Sequence, residues 1–337
     1  MTPHYQEIRA DADVLDWAGT VDVEHTADWS RGWRLPVDRL DLFPSGPLRT
    51  RATHQAGIRV VVETDASAVS ARAIPPDSDK QLYVDVVIAG EIVASLPVGG
   101  DGSLPEAELP SGHKRVELWL PQTDDFRLAS VHLPVGATVA KPEPSKRRRI
   151  IAYGSSITQC AAAASPARTW PAIVARAHDL DLLCLGFGGQ CQMDPMIGRL
   201  IRDEPADVIV TCLGINIYGA GTFNRRSLLP NILGLISTIR DGHPGTPMVV
   251  MSPVVSPSRE SLVGKTEMTL SEVRGQVHEA AELLQRFGDG DLHYVDGLDV
   301  LGESDAHLLS DDGLHPGPEG YEHIGQSLVP IVKGLLP

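Results

Sequence analysis

Long apolar runs are absent from this chain. No stretch approaches the ~18 residues that a membrane helix requires, which excludes a transmembrane reading. Cysteine is scarce, and Cys160, Cys184, Cys191 and Cys212 form no CxxC pair and have no histidine at zinc-ligand spacing. Neither a metal knot nor a disulfide framework is indicated, and free thiols in a reducing compartment fit better. Positive charge is also short. Lys+Arg number 29 against 44 Asp+Glu, a net charge of −15, which repels a phosphate backbone and argues against nucleic acid as the main partner. The start, Met1 to Ala10, lacks the basic-then-apolar layout of a secretory signal, so the expected location is the cytoplasm, with no membrane partner. What is present is an ordinary globular composition, 42% hydrophobic over 337 residues, long enough for two domains of ~150 residues each with its own core.

Residues 1–145 read as short strands separated by turns. Ile58 to Glu63, Leu82 to Ile88, Glu91 to Leu96, Arg115 to Leu120 and Arg127 to Leu133 are the clearest, and Ala89-Gly90 between two of them is a hairpin signal. No convincing helical period follows Trp33, so the expectation is an antiparallel β-sandwich or jelly roll that binds or shields something. Between Pro134 and Arg149 two prolines and the basic run Lys146-Arg147-Arg148-Arg149 interrupt the pattern. The run is expected to be a solvated linker at a domain boundary.

From residue 146 to 337 the period changes. Apolar runs at Ile150 to Tyr153, Leu182 to Leu185, Val208 to Leu213, Met248 to Met251 and Leu292 to Val295 alternate with helix candidates near Arg168 to His178, Met193 to Arg202, Arg225 to Arg240, Met268 to Phe287 and Glu319 to Lys333. In the fourth helix Leu270, Val273, Val277, Ala281 and Leu284 recur at the spacing of one buried face. Such alternation predicts an α/β fold, a parallel sheet with helices on both faces and a ligand site at the carboxyl ends of its strands.

Four short blocks fall at those ends. Gly154-Ser155-Ser156-Ile157 follows the first strand, where a nucleophile would be displayed; alone it is also an ordinary turn. Asp312-Gly313-Leu314-His315 places a carboxylate three residues before a histidine, able to hold the imidazole in its proton-accepting tautomer. Gly186-Phe187-Gly188-Gly189 brings backbone N–H groups close to a ligand, and Gly214-Ile215-Asn216 adds a carboxamide donor, so the two suit an oxyanion hole.

These blocks resemble the SGNH, or GDSL, serine hydrolases, over roughly residues 148 to 335. The resemblance implies a flavodoxin-like catalytic sheet with Ser156 as nucleophile, His315 as base, Asp312 as its orienting acid, and the Ser156 N–H, Gly189 and Asn216 as oxyanion donors, Gly188 being the second choice for the glycine. It implies no metal and no organic cofactor. Two positions depart from the family pattern. Ser155 stands where an aspartate usually precedes the nucleophile, and Ile217 where an aspartate often follows the block asparagine. Trp170, Phe187, Ile217 and Tyr218 are candidates for an acyl or acceptor pocket.

The expected function is acyl transfer by a GDSL-type esterase or O-acyltransferase. Its partners would be an intracellular small-molecule acyl donor, an ester or thioester, and an alcohol or water acceptor. The alternatives are a deacetylase of an acetylated carbohydrate held by the first domain, and a non-catalytic binding protein.

Overall fold

The computed structural model describes residues 5–77 and 80–336. The first half is a β-sandwich of two antiparallel six-stranded sheets. In one, Leu128–Pro134 pairs with Tyr5–Arg9, Ser30–Trp33 and Ala68–Ala73. In the other, Arg59–Thr64 pairs with Lys114–Trp119, which pairs with Tyr83–Ile88. Tyr83–Ile88 and Glu91–Pro97 form the expected hairpin, and Ala89 and Gly90 both take the positive φ of a two-residue type I′ connection. Ile8, Leu128, Val131 and Leu133 of one sheet face Val60, Val62, Val84, Val116 and Leu118 of the other across a single core.

The second sheet is covered on its outer face too. Along Lys114–Trp119, Val116 and Leu118 enter the sandwich core while Trp119 joins the core of the second half, as side-chain alternation along a strand requires. That double burial explains why Arg59–Thr64 carries the unbroken run Val60-Val61-Val62 rather than an alternating one.

One expectation for this half needs correction. Helical structure does follow Trp33, a 3-10 segment at Val37–Leu42 and an α-helix at Pro47–Ala52. Six residues are too few to show a period, and the helix begins on Pro47 at its first turn, where the missing N–H is no loss.

The second half is a five-stranded parallel sheet in the spatial order Asp181–Gly186, Arg149–Gly154, Val208–Cys212, Met248–Met251, Leu292–Val295. Counted along the chain this is 2-1-3-4-5, the flavodoxin-like order. Helix Trp170–Ala177 packs on Pro318–Lys333, while Pro195–Asp203, Leu228–Arg240 and Leu270–Arg286 pack in succession. The last of these starts at a capping box, with Thr269 Oγ1 accepting from the Glu272 N–H and Glu272 Oε2 from the Thr269 N–H. Among the described residues no helix is long and apolar enough to cross a membrane.

The halves are joined by buried polar contacts. Arg34, fully buried, donates to its own side's His54 and Arg51 carbonyls and across the seam to the Cys184 and Gly186 carbonyls. Arg59 reaches Asp181 and Glu117 and lies over the Trp119 ring at 4.9 Å. The basic run is correspondingly no solvated linker. Arg147 bonds Glu117 at 2.5 Å and Asp179 at 2.7 Å, and Arg149 pairs with Glu204 at 3.2 Å. Its carboxylate partners are far away in the chain, so the run alone could not reveal them. Burial works against charge on Glu117, but Arg59 and Arg147 outweigh it and hold the carboxyl below its ordinary range.

Candidate active site

Strand Arg149–Gly154 ends under a one-turn helix, Ser156–Gln159, that lies hard against the sheet. A Cβ on Gly154 would sit 2.1 Å from Thr158 Oγ1, and one on Gly186 would sit 2.3 Å from the Gln159 nitrogen. Only glycine permits that approach, and it is this approach that brings Ser156 over the strand ends. Ser155, in place of the usual aspartate, is the N-cap: its Oγ accepts the Ile157 N–H at 3.2 Å. The substitution therefore keeps a cap on the Ser156 turn without a buried charge.

Ser156 Oγ lies 2.8 Å from His315 Nε2, and His315 Nδ1 lies 2.6 Å from Asp312 Oδ2. The other Asp312 oxygen accepts the N–H groups of Leu314 and His315, each at 2.9 Å. Desolvation pushes the Asp312 carboxyl up, but these hydrogen bonds from the His315 ring and the two backbone amides prevail and hold it at about 2. The loop itself is pinned by Ser310 N–H to the His315 carbonyl at 2.7 Å and by Ser256 Oγ to the Gly313 carbonyl at 2.7 Å. An imidazole so placed and so oriented accepts a hydroxyl proton at Nε2.

Asn216 is the second residue of the short helix Ile215–Ala220. Its Oδ1 accepts the Cys191 N–H at 3.0 Å, which can only donate, so Oδ1 faces Cys191 and Nδ2 is left as donor. The Gly188 N–H is already given to Gln159 Oε1 at 2.8 Å. Among the described residues the Ser156 and Gly189 N–H groups have no acceptor. Ser156, Gly189, Asn216 and His315 line one cavity of about 410 Å³.

The expected pocket residues do not. Trp170, Phe187 and Ile217 are completely buried and Tyr218 nearly so, all within the core of the second half. Trp170 Nε1 donates to the Ile157 carbonyl at 2.9 Å, and Tyr218 Oη to the Leu262 carbonyl at 3.0 Å. Apolar side chains beside a motif and apolar side chains in a core look alike in sequence, and here packing claims all four. Ile217 is therefore core and does not line the cavity.

The cavity wall opposite the serine comes instead from the first domain. Arg51, His54, Thr123 and Asp124 line it, and a second cavity of about 480 Å³ shares Arg51, His54 and Asp124. None of these was singled out from sequence; the only signal was a polar string, Arg49 to Gln55, between Pro47 and Gly57. Gln159 was missed as well, although a glutamine one turn beyond a candidate nucleophile was visible.

Comparison with known proteins adds to this geometry. Residues 147–333, more than half of the chain, match the model of the GDSL-like lipase/acylhydrolase family. The chain belongs to the GDSL family. Residues 15–129 match the family model named SsfX3, N-terminal domain, so both halves have relatives. Among curated proteins none matches. The salicylyl-acyltransferase SsfX3 from a tetracycline biosynthetic pathway superposes with a TM-score of 0.88 at 33% identity, over 99% of this chain and 98% of that one. A Bacteroides ovatus ATCC 8483 protein named as a GDSL-like lipase gives 0.80 at 20% identity over 98% of each chain. A family two carbohydrate esterase from Cellvibrio japonicus gives 0.63 at 14% identity over 99% of this chain and 98% of that one. The last two share the fold. This GDSL protein is an enzyme of the serine esterase or acyltransferase type, acting on small molecules.

Proposed function

We propose that this protein is an O-acyltransferase that moves an acyl group from an ester or thioester donor, through Ser156, onto a hydroxyl of a small-molecule acceptor. His315 Nε2 takes the Ser156 proton as Oγ attacks the donor carbonyl. The carbonyl oxygen becomes an oxyanion held by the Ser156 and Gly189 N–H groups and Asn216 Nδ2. Collapse of the tetrahedral adduct expels the donor's alkoxide or thiolate, which recovers the proton from the imidazolium. The acceptor hydroxyl then gives its proton to His315, attacks the acyl-serine, and the ester leaves as Ser156 is reprotonated. Asp312, ionised throughout, orients His315 and offsets its transient charge.

The observation that carries transfer over hydrolysis is the full-length likeness to a salicylyl-acyltransferase at 33% identity, first domain included. Support also comes from the wall that this domain supplies, since Arg51, His54 and Asp124 offer donors and an acceptor to a hydroxylated ligand facing the serine. The test is product partitioning with an activated acyl donor and a panel of alcohols at rising concentration. The ester share should rise with acceptor; free acid as the sole product across the panel would make this a plain esterase. A fluorophosphonate should label Ser156, and Ser156→Ala should lose nearly all turnover with its fold intact. Labelling of another serine would end the assignment of the nucleophile.

A further inference from the structure

Gly188 is gripped at both of its polar ends. Its N–H donates to Gln159 Oε1 at 2.8 Å, and its carbonyl accepts from Arg51 Nε at 3.3 Å. The second grip matters for the residue that follows. The Gly188 carbonyl and the Gly189 N–H belong to one planar trans peptide and point in opposite directions, so fixing the oxygen fixes the N–H. Gly189 itself, at φ +72°, has no side chain, and its own carbonyl, which belongs to the next peptide, accepts from Gln190 Nε2 at 2.9 Å and Gln192 Nε2 at 3.2 Å.

Gln159 is in turn held by the first domain. It is almost completely buried, and its Nε2 donates to His54 Nδ1 at 2.8 Å and to the Gln122 carbonyl at 3.1 Å. The amide orientation has no freedom, because the Gln122 carbonyl can only accept and the Gly188 N–H can only donate. His54 Nδ1 must then be the bare nitrogen of a neutral ring, and its proton sits on Nε2. A glutamine lacking its His54 partner would have a buried donor only partly satisfied.

We propose that Arg51 and His54, both from the first domain, are positioning residues for the Gly189 oxyanion donor, Arg51 acting directly on the Gly188 carbonyl and His54 acting through Gln159 on the Gly188 N–H. The proposal rests on the assignment of Gly189 to the oxyanion hole. It gives the first domain a part in the chemical step beyond walling the cavity. A loosened donor is used less well where the charge develops, so the loss belongs in kcat.

The test uses the full chain with p-nitrophenyl acetate, too small to reach far along the cavity. Gln159→Met should lower kcat about tenfold or more with KM within about twofold. His54→Leu should do the same, while His54→Asn, whose Oδ1 can replace Nδ1 as acceptor, should recover most of the rate. Arg51→Met should also lower kcat on this small ester; an unchanged kcat would leave Arg51 as a ligand contact only and remove it from the proposal. Amide hydrogen exchange at Gly188 gives a readout independent of turnover: protected in wild type and His54→Asn, fast in Gln159→Met and His54→Leu. Unchanged exchange at Gly188, or an unchanged kcat in Gln159→Met, overturns the proposal. Equal losses in His54→Asn and His54→Leu, with both melting early, would reduce His54 to a packing residue. A wild type that is never acylated at Ser156 but shows the exchange pattern would sink the catalytic reading and leave the geometry standing.

Discussion

Lowering the pH from 7 to 5 should cost the wild type about 2 kcal/mol of stability through His54 alone. Burial, then the neighbouring Arg34 and Arg51 charges, push the imidazole down from 6.5 to about 3; Lys80 adds to this and Asp125 opposes it. The native state thus refuses a proton that the unfolded chain takes up below about 6.5. Stability from this group is complete above that value, falls as the pH drops toward 3, and is constant below. At pH 5 the unfolded histidine is almost fully protonated and the native one is not, which gives about 1.9 kcal/mol relative to pH 7. In a chain of this length that is about 3 °C in Tm. The assay is urea unfolding at both pH values, for wild type and His54→Asn, which keeps an acceptor for Gln159 and does not titrate. Every other histidine and carboxylate is common to the two proteins and cancels in the difference. The wild type should lose about 2 kcal/mol more than the variant, with equal m-values. Parallel losses would mean that His54 titrates normally, and the Gln159 Nε2 donor would then face a protonated ring.

Three further outcomes follow from the described contacts. Asn216→Asp keeps the oxygen that accepts from Cys191 but loses the Nδ2 donor, so kcat should fall about a hundredfold or more with little change in KM; steady-state kinetics showing a KM effect alone would make Asn216 a substrate-holding residue. Arg59→Leu strips the buried Glu117 of one of its cations and should lower stability by about 3 kcal/mol at neutral pH, read by denaturant titration; a change within 0.5 kcal/mol, the usual range for surface sites, would mean that Arg147 and Arg115 suffice to hold the carboxylate. Ile217→Asp buries an unpaired carboxylate and should cost about 3 kcal/mol or more, whereas an unchanged Tm with altered product partitioning would restore Ile217 to the acceptor pocket.

The parallel sheet was legible because strands buried on both faces are written as continuous apolar runs, and Ile150-Ile151 or Val208-Ile209-Val210 admit little else. The grouping of Ser156, Gly189, Asn216 and His315 was legible for a related reason, since an α/β sheet collects the carboxyl ends of its strands in one place. Tyr5–Arg9, Asp22–His25 and Ala68–Ala73 were not, being short and mixed in polarity. The Arg51 to His54 wall was invisible because its role depends on how one domain seats on another, a relation that no local pattern encodes. Trp170 and Phe187 misled for the opposite reason: each lies beside a functional block, and a large apolar side chain carries no mark of whether a ligand or the core will cover it.

Arg34 has a consequence for synthesis on the ribosome. The chain emerges amino end first, so the sandwich strands are complete before Asp181–Gly186 exists, yet that later strand supplies the Cys184 and Gly186 carbonyls that Arg34 reaches. A guanidinium leaves water only when acceptors replace it, so the sandwich stays wet along this edge while the nascent chain grows. Translation therefore delivers a first half with finished sheets and one open flank, and the flank dries only as the second parallel strand clears the exit tunnel and docks.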